Sequence, residues 1–456
     1  MQPLDTIYAP ASGGGMAAVS ILRLSGPDTA SVLHELTGVA LPPPRQARLT
    51  RFIDPASGET IDHSLLLWFP GPGSYSGEDM AELQLHGGQA VIARLLDVLA
   101  QRPGLRAAEP GEFTRRAFEN GKIDLTQAEG IADLIAAETE AQRLQAMGQA
   151  EGALSRLYED WRGRLVGLMA HQETDIDFSD QDLPETAFSG VSNKILLLLG
   201  EITQHLDDGH RGERLRTGLA VTILGPPNVG KSTLMNALAR RDVAIVSASA
   251  GTTRDVIEVH LDLQGYPLTL VDTAGLRATG DDVESEGVRR ALEKAAQADL
   301  KIIVISPDLP PDSLADTLSL LDESALVVVN KADLDVTAAF PSAALLKSYP
   351  LLNKQGVSRL SVQNGRGMED FLARLGQTLK DLMGKTTLSA PVLTRQRHRL
   401  ALEECRDALN RARQAKMPEL LAEDLRLAGR ALGRITGRVD VEDILDVIFH
   451  DFCIGK

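Results

Sequence analysis

The apolar positions of this chain change period twice. Up to about residue 120 they form short runs, Val19-Ser20-Ile21-Leu22-Arg23-Leu24 and Ser64-Leu65-Leu66-Leu67-Trp68-Phe69, punctuated by Gly and Pro, with one helical stretch over 88–101. That pattern predicts a compact α+β domain. From residue 126 the apolar positions recur at helical spacing through Leu134, Leu144 and Leu157, and Thr126-Gln127-Ala128-Glu129 reads as a capping box with Thr126 at the N-cap. Acidic, poorly periodic residues from Thr174 to Glu185 interrupt the helices. They resume over 195–206, before a Gly/Arg-rich joint at 209–218.

From residue 219 the period changes again. Four apolar runs, 219–224, 268–271, 302–305 and 326–329, alternate with helix-length segments, which signals a mostly parallel α/β sheet. After a linker-like stretch at 384–391, helical sequence runs almost to the C-terminus. Two separate short helical sets would each struggle to bury a core. The simplest architecture is therefore an α/β domain inserted into an all-α domain built from two chain segments. The expected fold class is multidomain, divided as 1–120 (α+β), 121–215 (helical, first part), 216–383 (α/β) and 384–456 (helical, second part).

Composition narrows the function classes. The 456 residues leave room for two to four domains at about 100–200 residues each. No apolar run approaches the roughly 20 residues that span a bilayer. Met1-Gln2-Pro3-Leu4-Asp5 begins neither a secretory signal nor a transit peptide, so a cytoplasmic location is expected. Cys405 and Cys453 cannot build a disulfide framework, and no Cys/His spacing fits zinc. A net charge of -16 repels phosphates on average, so any RNA contact must be local. The arginines spread from Arg395 to Arg438 fit a solvated helix face laced with i,i+4 pairs at least as well as they fit an RNA surface.

The candidate chemistry sits in the α/β section. Gly225-Pro226-Pro227-Asn228-Val229-Gly230-Lys231-Ser232 matches the phosphate-binding G-x-x-x-x-G-K-[ST], between an apolar strand and a helix beginning at Thr233. Its backbone N–H groups converge on phosphates, Lys231 reaches the β/γ-phosphates, and the Ser232 hydroxyl ligates Mg²⁺. Asp272-Thr273-Ala274-Gly275 follows the second strand, where an acid helps hold Mg²⁺ and a glycine N–H senses the γ-phosphate. Asn330-Lys331-Ala332-Asp333 follows the fourth, and the Asp333 carboxylate suits the N1–H and amino group of guanine. In Gly251-Thr252-Thr253-Arg254-Asp255, Thr253 completes the Mg²⁺ shell when the γ-phosphate is present. Four motifs in this order predict a GTPase switch. The further base-contact motif is altered, with Leu360-Ser361-Val362 carrying valine where Ser-Ala is usual. Leu276 stands where Ras-type enzymes have a water-orienting glutamine. Positive charge must come from elsewhere, and a monovalent cation held with the help of Asn228 is one source; Arg254 and Arg277 read most simply as surface charge.

These motifs, the helical flanks, the terminal Phe452-Cys453-Ile454-Gly455-Lys456, and the stretches Gly111–Phe118 and Asn120–Glu129 together resemble the MnmE (TrmE) family of tRNA-modification GTPases along the full chain. The resemblance implies an N-terminal tetrahydrofolate-binding domain that dimerises, a helical domain from two segments, and an inserted G domain that dimerises across its nucleotide face when potassium and a transition-state mimic are bound. It implies a homodimer working with an FAD-containing, MnmG-type protein on C5 of the wobble uridine of certain tRNAs, using a one-carbon unit from a 5-formyl or methylene folate. By motif position, GTP would be bound by Asn228, Val229, Gly230, Lys231, Ser232, Thr233, Ser247, Thr252, Thr253, Asp272, Thr273, Ala274, Gly275, Asn330, Lys331, Asp333 and Ser361. Ser232 and Thr253 would hold Mg²⁺, and Asn228, Ser247, Ser249 and Thr252 would surround K⁺. Glu284 would position the attacking water, Arg23, Glu82, Lys122 and Lys456 would contact the folate, and Cys453 would act in the modification. One departure is the 12–18 loop, Ser-Gly-Gly-Gly-Met-Ala-Ala, which lacks the family's arginine. A ribosome-assembly GTPase binding rRNA is the alternative, disfavoured because no appended RNA module is recognisable. A membrane-coupled transporter GTPase is weaker still, for want of a spanning segment.

Overall fold

The computed structural model describes residues 5–177, 186–240, 258–272, 298–334, 341–384, 391–439, 442–450 and 452–455. The chain divides into two compact units. One comprises 1–132, 149–199 and 401–456; the other comprises 133–148 and 200–400. Among the described residues, no helix is long and apolar enough to cross a membrane.

The first unit opens with a six-stranded sheet. Its strands are β1 (Thr6–Pro10), β2 (Ala17–Ser25), β3 (Arg48–Ile53), β4 (Thr60–Phe69), β5 (Met80–Gly87) and β6 (Leu105–Ala107), in the order β3-β4-β5-β2-β1-β6. All neighbours are antiparallel except the β1/β6 pair. The period-2 alternation of β4 and β5 sends Leu66, Trp68, Ala81, Leu83 and Leu85 to one face, where the helices Thr29–Thr37 and Gln89–Ala100 cover them with Leu33, Leu36, Leu95 and Leu99. On the other face, Ile7, Ala9 and Met80 are covered by Phe113 from the helix Glu112–Glu119. That face is not covered throughout. Leu49, Leu65, Gln84 and Ile21 stand in register across four strands, and Leu49, Leu65 and Val19 are exposed there by 71%, 37% and 53%.

The first long helix starts at Leu125, not after a Thr126 cap. Asp124 Oδ1 accepts from the Gln127 N–H at 2.9 Å, and Gln127 Oε1 reaches back to the Asp124 N–H at 3.1 Å. The capping box is thus Asp124–Gln127, two residues earlier than expected, and Thr126 lies inside it, donating to Asp124 Oδ1 at 2.7 Å. The carboxylate is the stronger acceptor for a helix N-terminus, which is why it takes the cap. The helix Ala153–Asp177 continues into the acidic segment expected to break it, and the next helix, Thr186–Leu206, begins earlier than 195. Gly163 and Gly167 lie in the interior of the first of these two helices, with nothing within 4 Å of where a Cβ would stand. Each costs about 1 kcal/mol relative to Ala, and no close contact among the described residues explains it.

The second unit holds a second six-stranded sheet: β7 (Leu219–Leu224), β8 (Glu258–Leu263), β9 (Tyr266–Asp272), β10 (Leu300–Ile305), β11 (Ala325–Val329) and β12 (Val357–Arg359), in the order β12-β11-β10-β7-β9-β8. Only the β8/β9 pair is antiparallel. The expected parallel α/β sheet is therefore present, with all four apolar runs as strands. β7 lies between β9 and β10, so the chain winds away from it in both directions. Ligands of open α/β sheets bind at such a switch point, beyond the carboxyl ends of the strands.

Candidate nucleotide site and a second polar corner

Strand β7 is buried along almost its whole length and delivers the chain into the phosphate-binding loop. A Cβ at Gly225 (φ +156°) would lie 2.2 Å from the Val304 carbonyl oxygen, and one at Gly230 (φ +98°) would lie 2.3 Å from Asn330 Nδ2. Both glycines are required because neighbouring groups occupy the space of a side chain. Asn228 takes the left-handed conformation, φ +64°, at the exposed crest of the loop. The helix Lys231–Ala239 follows, so its first N–H groups face the loop. Lys231 Nζ donates to the carbonyls of Gly225 at 2.7 Å and Pro226 at 2.9 Å, which lays the ammonium across the loop. A loop with a cation across it and a helix N-terminus behind it fits a polyphosphate. Ser232 and Thr233 are exposed on the first turn of that helix.

The Asn330 tetrad is built onto this loop. Asn330 Nδ2 donates to the Val229 carbonyl at 2.8 Å, and its Oδ1 accepts from the Val362 N–H at 3.2 Å. The valine at 362 therefore keeps the backbone donor that links its segment to the tetrad. Lys331, at φ +61°, donates through Nζ to Asp308 Oδ2 at 2.7 Å. That bond, with the Ser306 hydroxyl, holds the Asp308 carboxyl below the ordinary carboxylate range. Asp308 was not legible as a site residue; its only signal was its place three residues after β10. Asp333 is exposed, and its carboxyl is also held low, first by the Ser361 hydroxyl and then by its own backbone N–H. An ionised carboxylate at the edge of the cradle is a paired acceptor for two N–H donors of a base.

Several expected residues lie outside the described ones: Ser247, Ser249, Thr252, Thr253, Thr273, Ala274, Gly275, Glu284 and Lys456. Asp272 is the last residue of β9. Among the described residues, no group of three or more His, Cys, Asp or Glu is arranged to hold a metal.

A second polar corner lies in the first unit. Arg23 on β2 and Glu82 on β5 are cross-strand partners, with Nη2 2.7 Å from Oε1. Arg23 Nη1 also donates to the Gly455 carbonyl at 3.1 Å, and the guanidinium carbon sits 5.7 and 5.9 Å from the ring centres of Phe113 and Tyr75. The tail is held by a bridge between Ile454 and Pro110, while Phe452 is buried beside Phe449. Cys453 is exposed between them. Lys122 Nζ donates to the Pro72 carbonyl at 2.8 Å, on the loop that carries Tyr75. Sequence reasoning missed Tyr75 and Phe113; a single aromatic in a Gly/Pro/Ser-rich loop was the available sign for the first. Behind the corner, Arg116 bridges Glu78 and Glu112 at 3.0 Å each, all three largely buried. Arg106 also grips Glu112, and together these cations keep its carboxyl low against the opposing effect of burial.

Several of the C-terminal arginines are paired within the fold. Arg411 pairs with Asp424 at 2.9 Å and Arg434 pairs with Glu404. The groove they line with Arg430 also carries Glu404 and Asp407, so its charges are close to balanced.

Two family models match the chain: the TrmE N-terminus of GTP-binding proteins over residues 6–122, and the MnmE helical domain over 125–453. Proteins named tRNA modification GTPase MnmE are similar over 99% of this chain and 100% of their own length. Those of Paramagnetospirillum magneticum, Parvibaculum lavamentivorans and Rhodospirillum rubrum are 53%, 51% and 51% identical. A phosphate loop and the 330–333 tetrad joined by one asparagine, set within full-length similarity of this degree, place the chain in the MnmE (TrmE) family of tRNA modification GTPases.

Proposed function

We propose that the chain hydrolyses GTP with Mg²⁺ and K⁺ to drive or time modification of C5 of the wobble uridine in certain tRNAs. In this reading it acts in the cytoplasm as a homodimer with an FAD-containing partner and draws a one-carbon unit from a tetrahydrofolate derivative. The observation that carries the reading is the Asn330–Val229 bond, because it makes the base-reading tetrad and the phosphate loop one cradle. Lys231 neutralises phosphate charge, Ser232 and Thr253 supply hydroxyls to Mg²⁺, and Asp333 selects guanine. Leu276 cannot orient water, so Glu284 takes that task. Asn228, exposed and left-handed at the loop crest, offers its side-chain oxygen to K⁺ together with Ser247, Ser249 and Thr252. Held there, the cation would supply the charge that an arginine finger supplies elsewhere.

The Arg23–Glu82 corner supports the folate part of the reading. A carboxylate held by a guanidinium suits the N–H edge of a pterin, while Lys122 and Lys456 suit a glutamate tail. The uncovered row Leu49–Leu65–Gln84–Ile21 supports dimerisation through the first sheet, since an exposed apolar sheet face is stable only when covered. The test is GTP turnover at equal ionic strength in potassium and in sodium. Potassium stimulation, lost in Asn228→Ala, is the expected result. Equal rates in the two salts overturn the cation assignment.

A further inference from the structure

Each polar side chain of the 330–333 tetrad meets a group from outside it. Asn330 is bound to the Val229 carbonyl and the Val362 N–H, and the Ser361 hydroxyl holds the Asp333 carboxyl low. Lys331 is met by Asp308, whose Oδ2 lies 2.7 Å from its Nζ. We propose that Asp308 is a positioning residue for guanine-nucleotide binding, whose carboxylate fixes the Lys331 side chain across the base site. The assignment rests on the GTP reading above.

The first support is where Asp308 hangs. β10 and β11 pair in parallel with Ile305 beside Val329, so Ser306 and Asn330 leave the sheet side by side, and the Asn330 N–H donates to the Ile305 carbonyl at 2.9 Å. On its other side β10 pairs with β7, and the phosphate loop begins at Gly225, pressed on the Val304 carbonyl. Asp308 therefore extends from the strand that separates the phosphate loop from the tetrad, at the carboxyl ends where ligands of such sheets bind. The second support is that Asp308 is itself anchored. Ser306 is fully buried, its hydroxyl donates to Asp308 Oδ1, and the Leu309 N–H turns back to the Ser306 carbonyl at 3.3 Å. One carboxylate oxygen is thus held by the fold, and the other takes the ammonium.

The third support is Lys331. Its backbone stands at φ +61°, an uncommon conformation for a residue with a long side chain. A free lysine stem loses rotamer entropy when a ligand immobilises it. Tied at its tip to an anchored carboxylate, the stem is ordered before a base arrives, and an apolar stem ending in a cation suits the flat face of a purine. The pair is about one-third exposed on both sides, so it adds little to the stability of the fold, and stabilisation does not account for it.

The experiment measures Kd for GDP and GTP and steady-state hydrolysis by the full-length chain, for the parent, Asp308→Ala, Asp308→Asn, Lys331→Met, and Asp308→Ala combined with Lys331→Met. Asp308→Ala is expected to raise both Kd values and KM by about threefold to tenfold, the cost of ordering one long side chain on binding, with kcat and the unfolding temperature as in the parent. Asp308→Asn keeps an acceptor without the charge and should fall between the two. Inorganic tripolyphosphate, which fills the phosphate loop without a base, should bind parent and variants alike. In the Lys331→Met background, Asp308→Ala should have no further effect. Unchanged Kd values in both Asp308 variants overturn the assignment. Tighter binding by Asp308→Ala also overturns it, since Asp308 would then compete with the base for the lysine. So does an equal loss for tripolyphosphate, or full additivity with Lys331→Met, because the effect would then reach the site by another route. Should Asp308→Ala fail to fold, Asp308→Asn decides by the same criteria. If the parent chain binds neither GDP nor GTP, the GTP reading itself fails and this assignment with it.

Discussion

Arg23 donates through Nη1 to the carbonyl oxygen of Gly455 at 3.1 Å, although the two residues are 432 positions apart. The contact depends on glycine. At 455 the backbone has φ +94°, and a Cβ would lie 2.1 Å from the Pro10 carbonyl oxygen. The tail backbone is thus pressed against the end of β1 while its carbonyl caps the guanidinium that holds Glu82.

Gly455→Ala cannot keep that approach, so the tail must lift and Arg23 loses an acceptor. Tetrahydrofolate affinity is expected to fall by about tenfold or more, the worth of one charge-assisted hydrogen bond, with GTP hydrolysis unchanged. Calorimetric titration of folate beside a phosphate-release assay checks both halves. An unaltered folate affinity denies the corner its role.

Asp333→Asn exchanges an acceptor for an amide that also donates. Guanine N1–H then keeps the amide oxygen as its acceptor, but the amino group at C2 faces the amide NH2 and loses its bond, while xanthine, with a carbonyl at C2, gains a donor. GTP affinity should fall by about 10²-fold and xanthosine triphosphate affinity should rise. Competition binding with the two nucleotides reads the exchange. Parallel losses for both would mean that Asp333 is structural.

Arg116 is 5% exposed and holds Glu78 and Glu112. Arg116→Met keeps the volume and removes the charge, leaving Glu78 with the Ser25 hydroxyl but without its arginine. A loss of about 3–5 kcal/mol is expected in urea unfolding, the cost of stranding a buried ionic partner. Adding Glu78→Gln should recover part of it. A change below about 1 kcal/mol would falsify the view that this network is desolvated.

His205 sits on the helix 186–206, where burial first, and the charges of His398 and Arg399 after it, push its pKa down to about 4; Asp208 opposes them. The unfolded chain therefore takes up the proton first as pH falls. Above the ordinary histidine pKa of about 6.5 the group makes no difference, between there and about 4 stability drains away, and below that the loss is complete. The whole effect is at most about 3 kcal/mol, because the side chain is only partly removed from water. His205→Asn should flatten this portion of the stability profile, as read from unfolding midpoints at a series of pH values. A profile with the same slope in the variant assigns the acid sensitivity to other groups.

The phosphate loop of the candidate nucleotide site was legible because its determinants are local. Gly225, Gly230 and Lys231 lie within seven residues, and the strand before them and the helix after them each carry their own periodicity. The same holds for the four parallel strands, whose apolar runs need only count themselves. Capping was legible only to within two residues, since Thr126–Glu129 and Asp124–Gln127 both satisfy the spacing and the choice rests on which oxygen accepts more strongly. The corner around Arg23 was different. A pairing of Arg23 with Glu82 depends on strand register, and its closure by Gly455 depends on where a tail lands after 432 residues of folding. The uncovered row from Leu49 to Ile21 likewise appears only once four strands are set side by side. Spacing along a chain encodes what neighbours in sequence do to one backbone, whereas which distant side chains meet is decided by the packing of whole elements. That is why the sequence alone determined the phosphate loop and the parallel sheet, and the tertiary structure decided the tail's seat and the buried ion network.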